Sequence, residues 1–500
     1  MIVEPTTRWS GLPIAGLVAA LALSGCAAVG PEYRAPKLSA TEVPVEWTTR
    51  SDRASVGRGE SVSNAASPWW EELSDPVLDR LIAQAFANSP SLEVAMAKLN
   101  QSRSATGQAN AAAQPNVGGS GAARASGGDG TRLNQSWLSV NSSWEIDLFG
   151  AVRRGKEGAA AREAAQVATL ADVRVSLAAD VTDTYMGYRA CQSYGALSQQ
   201  DVVSRQATAK LTDASVREGF MAPYQAIRSH ASVAEAKTQQ VANHAYCDRL
   251  ENLLTRLTGV PRPELVKALE DQPTGLARLP VPRHFDIAIP REAVMLRPDI
   301  RAAERSLAAA SADIGLAEAD RYPRVSLSSD FGYSASRTSG GGSLSFGSWS
   351  FGPAVSLPIF DGGRRKAAVE IARARYDETL AEFRAKARRA IQEIEDGLTR
   401  YAAAHERTEN ARVSATQYQA FFDTVEVRFK EGASNLLELE DARRAMLGAQ
   451  QTYLNVQLER LQAWVALNRA TGGGAQYEFD NKQQLTQAGE PVPAAAESPQ

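Results

Sequence analysis

The 500-residue chain is poor in the side chains that most often build catalytic or metal sites. It has four His, three Cys and six Met, and aromatic residues make up only 7%. A metal cluster or a Cys–His nucleophile pair would need most of these few His and Cys residues. The formal net charge is -3, so no sequence-wide basic field attracts nucleic acid. We therefore expect no enzyme chemistry, no metal, no cofactor and no nucleic-acid partner.

The chain also lacks a hydrophobic run of about 18 residues, the length from which a membrane-spanning helix is predicted. Its N-terminus carries a shorter apolar run over residues 11–23, which is typical of a signal peptide. The run ends in Leu23-Ser-Gly-Cys26, which is similar to the bacterial lipobox and predicts acyl and diacylglycerol lipid on Cys26. Ala27, rather than Asp, implies sorting to the outer membrane. The alternative is an ordinary signal peptide with a chance cysteine.

An internal duplication runs through the sequence. Pro90 is matched by Pro298 and Pro115 by Pro323, both at a sequence offset of 208. The segment 149–154 (FGAVRR) matches 360–365 (FDGGRR) at 211. Two further motifs match at an offset of 213. One ends at Gly219 in the first half and at Gly432 in the second, and the other ends at Gly259 and at Gly472. The ordered agreement indicates one architectural unit written twice.

Each half is predicted to run helix, strand, strand, helix, helix. The returning helix of each half follows a turn at Gly219 or Gly432. A Pro-rich linker between the halves is expected to hold short irregular structure. The predicted segments are a signal peptide over 1–25, a lipid-anchored segment over 26–75, a first repeat over 76–259, a linker over 260–298, a second repeat over 299–474 and a partly disordered tail over 475–500.

The predicted strands alternate between apolar and polar residues. The pattern is clear in 138–148, 325–333 and 349–359 and weak in the Gly- and Ala-rich 117–126. Such alternation is typical of membrane barrel strands, although a soluble half-buried hairpin shows it too. Four strands cannot close into a barrel, and open edges are not tolerated in lipid. A membrane-spanning chain must therefore associate with copies of itself, and the strand count alone leaves two or three copies open.

The motifs resemble those of the TolC-like outer membrane factor family, in the lipoprotein branch that serves tripartite efflux pumps. The resemblance extends from Cys26 to about Gly474. It depends on these segments together: Cys26 to Pro36, Trp69-Trp70, Asp75 to Leu78, Trp144 to Gly150, Leu357 to Arg364, and Phe429 to Gly432. It implies a mainly α-helical fold with a membrane β-barrel, in which a homotrimer builds a twelve-stranded barrel and a long periplasmic helical tunnel.

The function that the resemblance implies is a passive exit duct for small molecules such as drugs or toxic compounds. The implied partners are a periplasmic adaptor protein, an inner-membrane transporter of the RND type and the lipid of the outer membrane. Export of proteins or of metals is the alternative within the same fold. A lipid-anchored periplasmic enzyme is the alternative from another functional class of protein.

The resemblance also implies an aperture at the periplasmic end. In the family, acidic residues just after the Gly of the second helix–helix turn form a constricting ring. Alignment on Gly432 assigns Glu438 and Asp441 to it, with Leu437 as an apolar ring beside them. Acids in a first helical turn can alternatively serve only to complement the helix dipole. Arg228 follows the first turn, and we expect it to pair with an acid of the neighbouring hairpin.

A disulfide follows from counting along the first hairpin. Gly219 lies midway in sequence between Cys191 and Cys247. Antiparallel helices joined at Gly219 would bring both cysteines to the same height, and export to the periplasm permits oxidation. The alternative is two buried thiols where the helices approach closely.

Overall fold

The computed structural model describes residues 28–36, 43–44, 47, 68–270, 279–280 and 290–473. The predicted signal peptide, Cys26 and the predicted tail over 475–500 lie outside these residues. The described residues form two compact units. One contains residues 28–36, 97–167 and 302–384, and the other contains residues 68–96, the described part of 168–301, and 385–473.

The helices and strands follow the predicted order. A short 3₁₀ helix (Trp69–Leu73) comes before the regular elements. In chain order these are α1 (Pro76–Asn88), α2 (Pro90–Ala111), β1 (Asn116–Gly128), β2 (Thr131–Ile146), α3 (Ala151–Arg217), α4 (Pro223–Thr258), α5 (Arg262–Glu270), α6 (Pro290–Leu296), α7 (Pro298–Ala319), β3 (Arg324–Thr338), β4 (Ser343–Ser356), α8 (Arg364–Lys430) and α9 (Leu436–Ala470). Among the described helices, none combines the length and the apolarity that crossing a membrane would require.

The first unit contains one antiparallel sheet in the order β1-β2-β3-β4. All four predicted strands are present, including the weakly alternating first one. The two repeats meet between β2 and β3, where Ile146 lies opposite Val325. One face of the sheet exposes large apolar side chains, namely Leu138, Val140, Phe331, Tyr333, Trp349, Phe351 and Val355. Among the described residues, β1 and β4 each pair on one side only.

The structure corrects the alignment of the two repeats after the strands. α2 and α7 are equal in length and start at the offset of 208, whereas α3 and α8, also equal in length, start at an offset of 213. Segments 149–154 and 360–365 are therefore displaced by two positions from true equivalence. Gly150 and Gly363, both with positive φ, immediately precede the first residue of the long helices. These glycines set the start of each helix. The Arg-Arg pairs shared by segments 149–154 and 360–365 do not mark equivalent positions.

The strand pairing shows that the repeat offset increases from 208 to 213 within the hairpins. Asn116 lies opposite Ser143 in the first hairpin, and Arg324 lies opposite Ser356 in the second. These pairs are related by the same offsets of 208 and 213. The whole increase therefore arises inside the second strand pair, before α8 begins.

The second unit is held by a core of large apolar side chains from several helices. Trp69, Leu78, Tyr185, Leu254 and Trp464 are all buried there. The linker contributes as well, because α5 buries two leucines one helical turn apart. The linker was expected to be irregular, but this spacing and the prolines near the starts of α5 and α6 produce two short helices.

Candidate functional site

The turn between α8 and α9 is built as predicted around Gly432, which has φ +75°. Asn435 caps α9, since its side-chain oxygen accepts a hydrogen bond from the Glu438 backbone N–H at 2.9 Å. Leu436 and Leu439 are buried in a small core with Phe422, Phe429 and other residues of the hairpin. The cap and this core fix both the start of α9 and its rotation about its own axis.

The predicted aperture residues lie on the outward side of that helix start. Leu437 is 51% exposed, and the Asp441 side chain is 57% exposed. They are separated by one helical turn, so they share a face. Asp441 makes an exposed ion pair with Arg444 at 3.5 Å.

Glu438 is held within its own hairpin. Ser434 Oγ donates a hydrogen bond to its carboxylate at 2.6 Å, and Arg428 Nη1 lies 3.4 Å from the other oxygen. Arg428 also donates to the Ala433 carbonyl at 3.2 Å. The carboxylate is thus partly neutralised and oriented before any second copy is added. The structure describes a single chain, so the ring itself stays a prediction.

A buried ion-pair cluster on the opposite side of the same helical turn escaped the sequence analysis. Arg443 is completely buried and donates to the Glu440 carboxylate. Its other terminal nitrogen donates to Thr208 Oγ1 at 2.9 Å and to Ser204 Oγ at 3.2 Å. Burial lowers the pKa of the Arg443 guanidinium, an effect that the charges of Glu440 and Asp201 oppose.

The same cluster joins the two hairpins. Glu440 accepts a hydrogen bond from Ser232 of α4 at 3.0 Å, and Arg205 of α3 lies 3.5 Å from the same oxygen. Arg205 in turn pairs with Asp201 at 2.9 Å. The sequence signal for this cluster is the position of Glu440 and Arg443 between the buried Leu439, Ala442 and Met446. Charged residues inside an apolar stripe indicate a paired, buried role.

The turn of the first hairpin differs from that of the second. Gly219 has φ +79°, and Ala222 supplies no side-chain cap to α4. Arg228 is exposed, and within the described residues it has no ion pair in the single chain. Its predicted partner on a neighbouring hairpin stays a prediction. Three large exposed side chains precede it in sequence, namely Phe220, Tyr224 and Ile227, and sequence analysis did not single them out.

Cys191 and Cys247 are bonded in the structure, with their Cα atoms 5.7 Å apart. They lie on α3 and α4, and Gly219 is midway between them in sequence. The bond thus joins the two helices of the first hairpin far from its turn. Neither cysteine touches the predicted aperture.

The described residues contain no group of three or more His, Cys, Asp or Glu side chains placed to hold a metal ion. The features that the site offers are exposed charge and a fixed helix orientation at a turn. Together with a duplicated helix–strand–strand–helix–helix unit and a sheet with an exposed apolar face, they define the class of TolC-like outer-membrane channels.

Comparison with known proteins identifies the family. The outer membrane efflux protein family matches residues 81–260 and 289–473, which is more than half of the chain. The chain belongs to this family and is an outer-membrane efflux channel protein. It is 28% identical over 480 residues to the solvent efflux pump outer membrane protein SrpC of Pseudomonas putida, covering 93% of this chain and 98% of that one.

Three further likenesses agree. Nodulation protein T of Rhizobium leguminosarum bv. viciae is 29% identical, with coverage of 92% of this chain and 93% of that one. The solved outer-membrane channel OprN superposes with a TM-score of 0.78 at 30% identity, covering 90% of this chain and 99% of that one. The open state of the MtrE channel of Neisseria gonorrhoeae has the same fold, with a TM-score of 0.75 at 24% identity and coverage of 90% and 99%.

Proposed function

We propose that the protein is the exit duct of a tripartite efflux system and works as a homotrimer. Three copies of the four-stranded sheet would form a twelve-stranded membrane barrel, and the long helices would line a periplasmic tunnel. The observation that carries this proposal is the sheet itself, which exposes Trp349, Phe351 and Val355 to its surroundings and leaves both edge strands open. Such a face suits lipid, and such edges need strands from other copies.

The duct acts passively. It has no chemistry of its own and binds no cofactor, so the energy for transport comes from an inner-membrane transporter of the RND type. A periplasmic adaptor protein connects the two. The exposed turns at Gly219 and Gly432 are the part of the duct that faces these partners.

Lipid on Cys26 adds an anchor in the outer membrane. The signal-peptide pattern and Leu23-Ser-Gly-Cys26 support this part of the proposal. Each buried methylene contributes about 0.8 kcal/mol of membrane affinity, so more than one acyl chain is needed for a firm hold.

The proposed cargo is small organic molecules. Relatives that match over nearly their whole length are named for efflux of solvents, of toluene and of antibiotics. A passive duct does not select strongly among these compounds, because specificity resides in the transporter that loads it.

The test is accumulation of ethidium, together with survival in toluene, in the native host with and without the gene. We expect more ethidium inside the deletion strain and lower survival in toluene, with both restored by a plasmid copy. Equal accumulation and equal survival in the two strains would contradict a role in small-molecule efflux.

A further inference from the structure

Two exposed arginines lie near the hairpin tips of the sheet. They are Arg132 of β2 and Arg337 of β3, and neither guanidinium makes an ion pair with a described residue. Asp129, the acid nearest to Arg132 in sequence, lies in the turn between β1 and β2 and pairs with neither arginine. Positive charges that lack an acidic partner within the chain attract an anion from outside it.

Both arginines lie on the apolar face of the sheet. Tyr333 and Leu138 belong to that face and lie directly opposite each other. Arg337 follows Tyr333 by four residues, and Arg132 precedes Leu138 by six, so strand alternation puts both arginines on the same face. Asn134 lies opposite Arg337, which makes Arg132 the diagonal neighbour of Arg337, about 7–8 Å away between Cα atoms.

Polar side chains accompany the two arginines on this face. The strand register sets Ser343 opposite Arg337, and it sets Ser136 and Ser345 on either side of Ala335 in the row below. The name tip patch is used here for Arg132, Asn134, Ser136, Arg337, Ser343 and Ser345. The tip patch offers two guanidinium groups, one amide and three hydroxyls, which can all donate hydrogen bonds to phosphate or sugar oxygens.

The height of the tip patch fits the headgroup layer of a bilayer. From Ile146 to Leu138 the apolar face extends over about 21 Å along the membrane normal, for strands tilted by about 40°. Arg337 lies about 10 Å above Tyr333 by the same count. The headgroup layer adds roughly 5–8 Å on each side of the hydrocarbon core. Arginine side chains can bend into that layer while their stems stay on apolar surface.

The hairpin tips face the outer leaflet in the proposed duct. The long helices join the strands at the opposite end of the sheet, where β2 leads into α3 and β4 leads into α8. Because these helices extend into the periplasm in the proposed duct, the tips lie on the outer side of the membrane. Lipopolysaccharide, the glycolipid of that leaflet, has a diglucosamine headgroup that carries phosphates.

We propose that the tip patch binds the phosphorylated diglucosamine headgroup of a lipopolysaccharide molecule. Arg132 and Arg337 repel each other at their diagonal spacing, and a phosphate between them is attracted to both. The amide and hydroxyls of the tip patch bond the sugar oxygens, and the acyl chains lie against the apolar rows below. This inference rests on the proposed membrane barrel and adds a site for one kind of lipid to its surface.

Native mass spectrometry of the purified full-length protein tests the proposal. The probes are diphosphorylated lipid A, its dephosphorylated form and phosphatidylglycerol. The variants are Arg132→Gln and Arg337→Gln, made singly and together. Arg124→Gln is the matched control, because Arg124 of β1 is exposed close to the same tips but lies opposite Gln135 on the polar face.

For trimers of the unaltered protein, we expect diphosphorylated lipid A to bind roughly tenfold more tightly than the dephosphorylated form, a difference of about 1.4 kcal/mol. The double variant should lose this preference, each single variant should lose part of it, and Arg124→Gln should keep it. Equal binding of the two forms of lipid A, as expected of a tip that is only hydrated, would overturn the site. An equal loss in Arg124→Gln and the double variant would overturn it as well.

Phosphatidylglycerol binding as tight as that of diphosphorylated lipid A would overturn the assignment to a glycolipid. The comparison of lipids on the unaltered protein decides the question even if the double variant does not assemble. Trimers without a preference would overturn the lipid site and leave the proposed function intact. Monomers in the unaltered preparation would instead overturn the proposed trimer, and the site together with it.

Discussion

Neighbouring residues in the first turns of α9 face opposite surroundings. Asp441 is exposed, whereas Glu440, one position earlier, is buried and bonded to Arg443 and Ser232. The buried side sets how the helix is rotated, and in the proposed aperture the exposed side would carry the charge that a passing solute meets. An aperture built this way depends on residues that never touch the solute.

Replacing the two exposed acids tests the aperture. In Glu438→Gln/Asp441→Asn, we expect higher single-channel conductance or weaker cation preference, because a ring of negative charge is removed. The difference in conductance or cation preference between the variant and the unaltered protein should be clear at about 0.1 M salt and small at about 1 M. The screening length falls from about 10 Å to about 3 Å between these concentrations. Glu431→Gln, in the same turn but outside the predicted ring, is the control. Unchanged selectivity at low salt would refute the assignment.

The buried cluster makes its own prediction about stability. Arg443→Met removes the buried guanidinium that bonds Glu440, so that, among the described residues, Arg205 alone faces both Glu440 and Asp201. The free energy of unfolding should therefore fall by about 3–5 kcal/mol. Arg444→Met, one residue further on at an exposed position, should change it by no more than about 0.5 kcal/mol. Denaturant titration of the purified protein compares them. Equal effects of the two variants would show that the cluster is not structurally important.

At the scale of helices and strands, the sequence predicted most of the fold for clear physical reasons. Alternation identifies β2, β3 and β4, and prolines and glycines mark where helices begin and end. The alignment of the repeats after the strands was wrong by two positions. It matched the two Arg-Arg pairs, whereas the equivalent residues are the positive-φ glycines that directly precede α3 and α8. The helices α5 and α6 were missed because prolines in the linker looked like breakers rather than helix starts.

The site was less accessible to sequence reasoning than the fold. Family resemblance assigned Leu437, Glu438 and Asp441, whereas the sequence analysis did not single out Arg443. Its partners Ser204 and Thr208 are far away in sequence, on α3. Only the folded hairpins bring these residues together, so periodicity could indicate burial but not the partners.

The disulfide between α3 and α4 should stabilise the first hairpin. Closing a loop with a sequence separation of 56 contributes roughly 4 kcal/mol in the loop-entropy model. Cys191→Ala/Cys247→Ala should therefore unfold at a lower temperature than the oxidised protein, and added reductant should not change the variant further. A count of two free thiols in the denatured mature protein, without any reductant, would eliminate the bond.

At the scale of the whole molecule, we expect the proposed lipid anchoring at Cys26 and the proposed barrel insertion to be separable. Cys26→Ser should abolish incorporation of labelled palmitate, because the acylated side chain is lost. The trimer should persist, since the proposed barrel inserts through its own apolar face. Metabolic labelling and native mass spectrometry measure the two properties independently. Palmitate in the variant would show that the lipid is attached elsewhere.

We propose that the chain forms a passive channel through association of its copies. Conductance of the purified full-length protein in planar lipid bilayers tests it most directly. We expect discrete, persistent current steps without any energy source, together with a trimeric mass for the same preparation. A monomeric preparation that gives no current in the bilayer would rule out a channel formed by association of copies.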